Sequence, residues 1–102
     1  MGLLDLLKGP DINKGVEEYR ATEGAVLVDV RTPEEYSKRN IPGSKNVPLQ
    51  NLSEIEKVAP DKNTPLFVYC LSGGRSSSAT KEFKKMGYCN IKNIGGISAY
   101  RG

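Results

Sequence analysis

Apolar residues fall into two kinds of segment along the chain, short unbroken runs and spaced repeats, and the two kinds alternate. "AVLVDV" (25–30) and "PLFVY" (65–69) are nearly unbroken and rich in β-branched and aromatic side chains, as strands covered on both faces are. A shorter extended piece is expected around Asn46 and Val47, inside the loop "NIPGSKNVPL" (40–49), and a last short strand at "NIKNI" (90–94). Between these runs the spacing is helical. After Gly9-Pro10, Asn13 is placed to cap a helix carrying Val16 and Tyr19 and ending near Gly24. "TPEEY" starts a short helix by two devices: Thr32 and Glu35 form a capping box, and Pro33 sits at the first helical position, where its missing N–H costs nothing. Ser53 and Glu56 predict a further capped helix bearing Ile55 and Val58 and closed by Pro60. From about Ser76, Ala79, Phe83 and Met86 fall at i, i+4 and i+7, with Lys81, Glu82, Lys84 and Lys85 opposite and Gly87 as a stop.

This order, strand and helix in turn with short connections, argues for a parallel sheet between layers of helices. Ligands of such sheets bind beyond the carboxyl ends of the strands, where loops lead into helix N-termini. Cys70 falls at that place, closing a buried strand and opening the loop "CLSGGRS" a few residues before the amphipathic helix.

Composition narrows the chemistry. The 102 residues, 37% hydrophobic and 26% charged, suit one globular domain. Residues 1–10, "MGLLDLLKGP", read as a short amphipathic extension ahead of a domain over 11–102; Leu6 stands where a myristoylation signal needs Ser or Thr. A net charge of +3, few aromatics and no Trp do not make a nucleic-acid binder. No apolar run approaches the 18 or more residues of a membrane span, so a soluble protein is expected. Two cysteines and no histidine cannot build a disulfide framework, a zinc site or a Cys-His or Ser-His-Asp centre, and a reducing cytoplasmic setting is expected.

A thiol at Cys70 must therefore be activated by backbone dipoles and by Arg75. A free thiol has a pKa near 8.5, which helix N-termini and nearby cations lower. If Leu71, Ser72, Gly73, Gly74 and Arg75 curl around the sulfur, their N–H groups form an anion-holding nest to which the following helix adds its positive end. Gly73 and Gly74 suit the unusual backbone angles of such a ring, Arg75 offers a planar fork to an oxyanion, and Ser72 and Ser76 offer hydroxyls. A lone cysteine closing a buried strand is by itself an ordinary core residue; its place before the double glycine, the arginine and the serine makes it a candidate nucleophile. Asp29 and Arg31 read as a clamp supporting these loops, and Cys89 as a packing residue.

"CLSGGRS" is similar to the active loop of the rhodanese-like sulfurtransferases, C-x-x-G-x-R-S/T, with Cys70, Gly73, Arg75 and Ser76 matching residue by residue. "LVDVRTPEEYSKRNIPGSKNVPL" (27–49) resembles that family's Asp-x-Arg and Ile-Pro-Gly segments, and "NIGGISAYRG" (93–102) its closing Gly-Gly-aromatic stretch. The resemblance implies a three-layer α/β/α domain with a five-stranded parallel sheet. It also implies a thiosulfate sulfurtransferase in which Cys70 takes the outer sulfur of thiosulfate or a persulfide donor, holds it as a persulfide and passes it to a thiol, to cyanide or to a protein acceptor. Loop amides would hold the persulfide anion, Arg75 would contact the donor's oxyanion, and no cofactor or metal is needed. Asn40 and Tyr100 stand where many relatives have His and Trp, and are expected to tune packing or loop polarity.

Two rivals remain at this point. A cysteine-loop phosphatase or arsenate reductase has five residues between Cys and Arg where this chain has four, Leu71 to Gly74. A non-catalytic docking module would not need both Cys70 and Arg75, whereas a carrier passing sulfur to one dedicated partner would.

Overall fold

The structure, a computed structural model, describes residues 9–102, so the extension expected over 1–10 lies outside the described residues except for Gly9 and Pro10. In chain order the elements are α1 (Ile12–Ala21), β1 (Val26–Asp29), α2 (Pro33–Lys38), β2 (Lys45–Asn46), a 3₁₀ segment (Leu49–Glu54) running into α3 (Ile55–Val58), β3 (Leu66–Cys70), α4 (Gly74–Lys85), β4 (Ile91–Gly96) and a final 3₁₀ turn (Ile97–Ala99).

The strands form one sheet in the order β2-β1-β3-β4, with every pair parallel. Alternation along β1 and β3 sends side chains to opposite faces and so builds two cores. Leu27, Phe67 and Tyr69 pack with Ile12 and Val16 of α1 and with Ile41, Ile94 and Ile97. Val28, Leu66, Val68 and Cys70 pack with Ala79 and Phe83 of α4, Ile55 of α3 and Tyr88. Helices cover both faces, which is the three-layer arrangement expected. Phe83 is fully buried, and that ring alone contributes roughly 1.5–3 kcal/mol.

The expected fifth strand is not found among the described residues, where the sheet has four. Beside the free edge of β4 the chain runs through Gly9 and Pro10, close enough that a side chain at Gly95 would touch the Pro10 carbonyl. Proline has no N–H to donate to a ladder, and Asp11 is already committed to capping α1, so this piece passes the edge without pairing.

Local corrections follow the same logic. Asp11, not Asn13, caps α1, its carboxylate accepting from the N–H groups of Asn13 and Lys14, and the helix stops at Ala21. The Asn13 side chain instead holds the C-terminal stretch, donating to the Ala99 carbonyl and accepting from the Arg101 N–H. The capping box at Thr32, Pro33 and Glu35 forms as expected. Ser53 caps nothing: its hydroxyl donates to the Asn51 side chain within the 3₁₀ segment, and α3 is a single turn. No helix among the described residues is long and apolar enough to cross a membrane.

Candidate active site

All five residues of β3 are buried, and the strand delivers Cys70 to the carboxyl edge of the sheet at 1% exposure. Three residues later Gly73 turns the chain with φ +109, an angle that disfavours any side chain, and α4 begins at Gly74, two residues earlier than the apolar spacing suggests. No side chain caps α4, so its first amides look elsewhere for an acceptor. At the N-cap position the Gly73 N–H donates to Cys70 Sγ at 3.0 Å, and the neighbouring Ser72 and Ser76 amides favour a charged sulfur there. Cys70 Sγ stands where a capping oxygen ordinarily would.

The Ser76 hydroxyl lies 3.4 Å from Sγ on the helix side. Burial pushes the Cys70 thiol up, but the Ser76 hydroxyl and the three amides outweigh it and leave the thiol below its ordinary range. The loop is also fixed from behind. Gly96 of β4, paired with Cys70, lies so close to Leu71 and Ser72 that a Cβ there would collide with their backbone, and the Leu71 carbonyl accepts from the Ser98 N–H at 3.1 Å. A bulge in β4, where Tyr69 pairs with Gly95 one residue out of step with Val68 and Asn93, brings Gly96 to this position.

Arg75 extends from the first turn of α4 to the capping box of α2. Its two terminal nitrogens meet the two Glu35 oxygens at 2.7 and 2.9 Å. Hydrogen bonding from Arg75, with further bonds from Thr32, holds the Glu35 carboxyl down at about 2. A guanidinium carries five N–H groups, so three remain after this pairing. Asp29 and Arg31 form a second pair, fully enclosed: Arg31 Nη2 lies 2.8 Å from Asp29 Oδ2, with exposures of 4% and 0%. Arg31 Nη2 also donates to the Arg39 carbonyl, and Asn46 Nδ2 to the carbonyls of Asp29 and Arg31, so the pair ties the end of β1 to the segments on either side of it.

The structure thus brings Cys70, Ser72, Gly73, Arg75 and Ser76 together around one atom or one loop. Gly74 differs from expectation, since it takes ordinary helical backbone and a Cβ added there would meet nothing within 4 Å. Leu71 points outward at 45% exposure, the one large apolar side chain so exposed among the described residues. Two participants were missed by sequence reasoning. Glu35 entered only as a capping residue, and Asn93, whose Oδ1 lies 2.7 Å from Ser76 Oγ, did not enter as a site residue. Neither carries a local signal, because each is joined to the loop only by the fold.

Cys89 is not a packing residue. It is exposed, and its thiol donates to Asn63 Oδ1 and the Lys62 carbonyl. It also precedes Ile91, the partner of Leu66, while Cys70 pairs with Gly96; with about 3.3 Å per strand residue the two cysteines lie at opposite ends of the sheet. Asn40 donates to the Tyr36 carbonyl at the end of α2, and the Tyr100 carbonyl accepts from Arg39. Among the described residues no group of three or more His, Cys, Asp or Glu is placed to hold a metal ion.

Comparison with known proteins agrees with this geometry. Residues 13–102 match the family model described as rhodanese-like domain. The thiosulfate sulfurtransferase PspE of Escherichia coli is 39% identical over 71 residues, covering 69% of this chain and 68% of its own. The putative sulfur carrier protein YrkF of Bacillus subtilis is 38% identical over 80 residues, 76% of this chain, which spans only 42% of that relative. Among solved structures, a rhodanese with anions from E. coli superposes with a TM-score of 0.71 at 35% identity, covering 74% of this chain and 91% of that one.

Proposed function

The chain belongs to the rhodanese-like domain family, and from that premise we propose that it is a sulfurtransferase that carries sulfane sulfur on Cys70. The observation that carries this reading is the placement of two donors on Cys70 Sγ, the Gly73 N–H at 3.0 Å and the Ser76 hydroxyl at 3.4 Å. They lower the cost of the thiolate, and a thiolate is the form that attacks sulfur.

With thiosulfate as donor, Cys70 Sγ attacks the outer sulfur, the S–S bond of thiosulfate breaks and sulfite departs with the bonding pair. The persulfide's charge then sits on the outer sulfur, in front of the same loop amides. An acceptor thiolate or cyanide attacks that sulfur, and the pair of the Cys70 S–S bond returns to Sγ. The N–H groups of Arg75 not used by Glu35 would face the sulfonate oxygens of the donor, and the Asp29–Arg31 pair would support the loops from below. No cofactor or metal takes part.

A dedicated protein acceptor is a second reading, and Leu71 favours it. Leu71 follows Cys70 directly and is exposed on the face such an acceptor would approach, and one relative is named a putative sulfur carrier protein. Phosphoryl transfer is disfavoured by the loop's length, since four residues, Leu71 to Gly74, separate Cys70 from Arg75, one fewer than the cysteine-loop phosphatases have. Steady-state transfer from thiosulfate to cyanide, followed as thiocyanate, tests the proposal: turnover that vanishes in Cys70→Ala supports it, and turnover that survives refutes it.

A further inference from the structure

The Ser76 hydroxyl has one proton and three acceptors within reach. Asn93 Oδ1 lies at 2.7 Å, the Gly73 carbonyl at 3.0 Å and Cys70 Sγ at 3.4 Å. Asn93 is itself held in one orientation. Its Oδ1 accepts from the Gly95 N–H at 3.0 Å, which identifies that end of the amide as the oxygen, and its Nδ2 donates to the Gly73 carbonyl at 3.4 Å. The bulge in β4 therefore holds an acceptor one hydroxyl away from the sulfur. Asn93 carries no charge and reaches the sulfur only through Ser76.

We propose that Asn93 is a positioning residue for the chemistry at Cys70: it anchors the Ser76 hydroxyl beside the sulfur and accepts its proton whenever Sγ is uncharged. This rests on the reading of Cys70 as the nucleophile. In the thiolate the hydroxyl turns its proton to Sγ, because a hydrogen bond to an ion is roughly twice as strong as a neutral one. When Sγ takes a sulfane sulfur it becomes a neutral divalent atom, and the charge moves out by one S–S bond, about 2 Å. The Ser76 proton then rotates back to Asn93 Oδ1. When an acceptor thiolate attacks the outer sulfur, the S–S bond to Cys70 breaks, its electron pair goes to Sγ and the hydroxyl swings to meet it. No proton enters or leaves; one rotation follows the charge. Without Asn93 the one competing acceptor left is the Gly73 carbonyl at 3.0 Å, so the uncharged sulfur is favoured less and the hydroxyl stays more with Sγ.

The test uses the full chain in a Cys89→Ser background, so that Cys70 is the one thiol, and follows its alkylation by iodoacetamide against pH. Asn93→Ala removes the acceptor that favours the uncharged sulfur and lowers the midpoint by up to about one pH unit, the size of one hydrogen bond. In a Ser76→Ala background the same substitution has no effect. Asn93→Asp keeps the shape and the Gly95 bond but retains the Ser76 proton more tightly, and it raises the midpoint by more when Ser76 is present than in Ser76→Ala; should Asn93→Ala fail to fold, this comparison carries the test alone. An unchanged or raised midpoint in Asn93→Ala overturns the proposal, and so does an equal shift with and without Ser76, which is what a merely structural role produces. Loading by thiosulfate is read in parallel on the unsubstituted chain. Its absence overturns the sulfurtransferase reading, whereas loading together with an unmoved midpoint in the Asn93 variants overturns only the role of Asn93.

Discussion

Arg75 and Glu35, forty residues apart, lie fork to fork, two nitrogens against two oxygens at 2.7 and 2.9 Å. The same carboxylate accepts from the Thr32 backbone and hydroxyl, so one side chain closes the start of α2 and steadies the loop that carries the sulfur. Arg75 is thereby oriented before any donor arrives. Removing the charge with Glu35→Gln should lower kcat/KM for thiosulfate roughly tenfold, one charge-assisted hydrogen bond's worth, by freeing Arg75. Steady-state kinetics on the two proteins checks this.

The same pair sets an acid limit. The Glu35 carboxyl falls from 4.5 to about 2 on folding, chiefly through Arg75. A carboxyl depressed in the folded state stabilises it above the unfolded value, and that contribution is lost as pH falls through the folded one. The stability difference between the natural chain and Glu35→Gln should therefore be constant above about pH 4.5 and shrink toward pH 2. Denaturant titrations at several pH values measure it.

Asp29 and Arg31 are enclosed, so their pairing cannot be replaced by water. Asp29→Ala leaves a guanidinium buried without its counter-charge and should cost roughly 3–5 kcal/mol of stability. Urea unfolding followed by circular dichroism reads the change.

At Gly96 a single methyl group should separate fold from activity. A Cβ there collides with the backbone of Leu71 and Ser72, which must shift and carry the Gly73 amide away from Sγ. Gly96→Ala should lower stability by about 1–3 kcal/mol and raise the pH at which Cys70 becomes reactive. Iodoacetamide kinetics against pH test the second effect independently of the first.

Elements whose cause is local were legible in the sequence. The capping box of α2 lies within four residues, and β1 and β3 announce themselves by unbroken apolar runs. Cys70 was placed correctly at a strand end before a glycine turn, because strand, turn and helix there are consecutive in the chain. What could not be read depends on contacts between distant segments. The Glu35–Arg75 pair, the Asn93–Ser76 bond and the approach of Gly96 to Leu71 join residues that only the sheet order brings together. The fifth strand was implied by the family resemblance alone, whereas the apolar pattern itself marks four extended pieces, the number of strands found among the described residues. Cys89 misled because a cysteine beside a buried tyrosine reads as core, whereas Tyr88 alone turns inward and donates to the Ala59 carbonyl.

Intact-mass measurement after incubation with thiosulfate addresses the sulfur-carrying role of Cys70 most directly. The chain should gain one sulfur atom, lose it on adding cyanide or a thiol, and gain none as Cys70→Ala. No gain in the natural chain, or a gain that persists in Cys70→Ala, would contradict it.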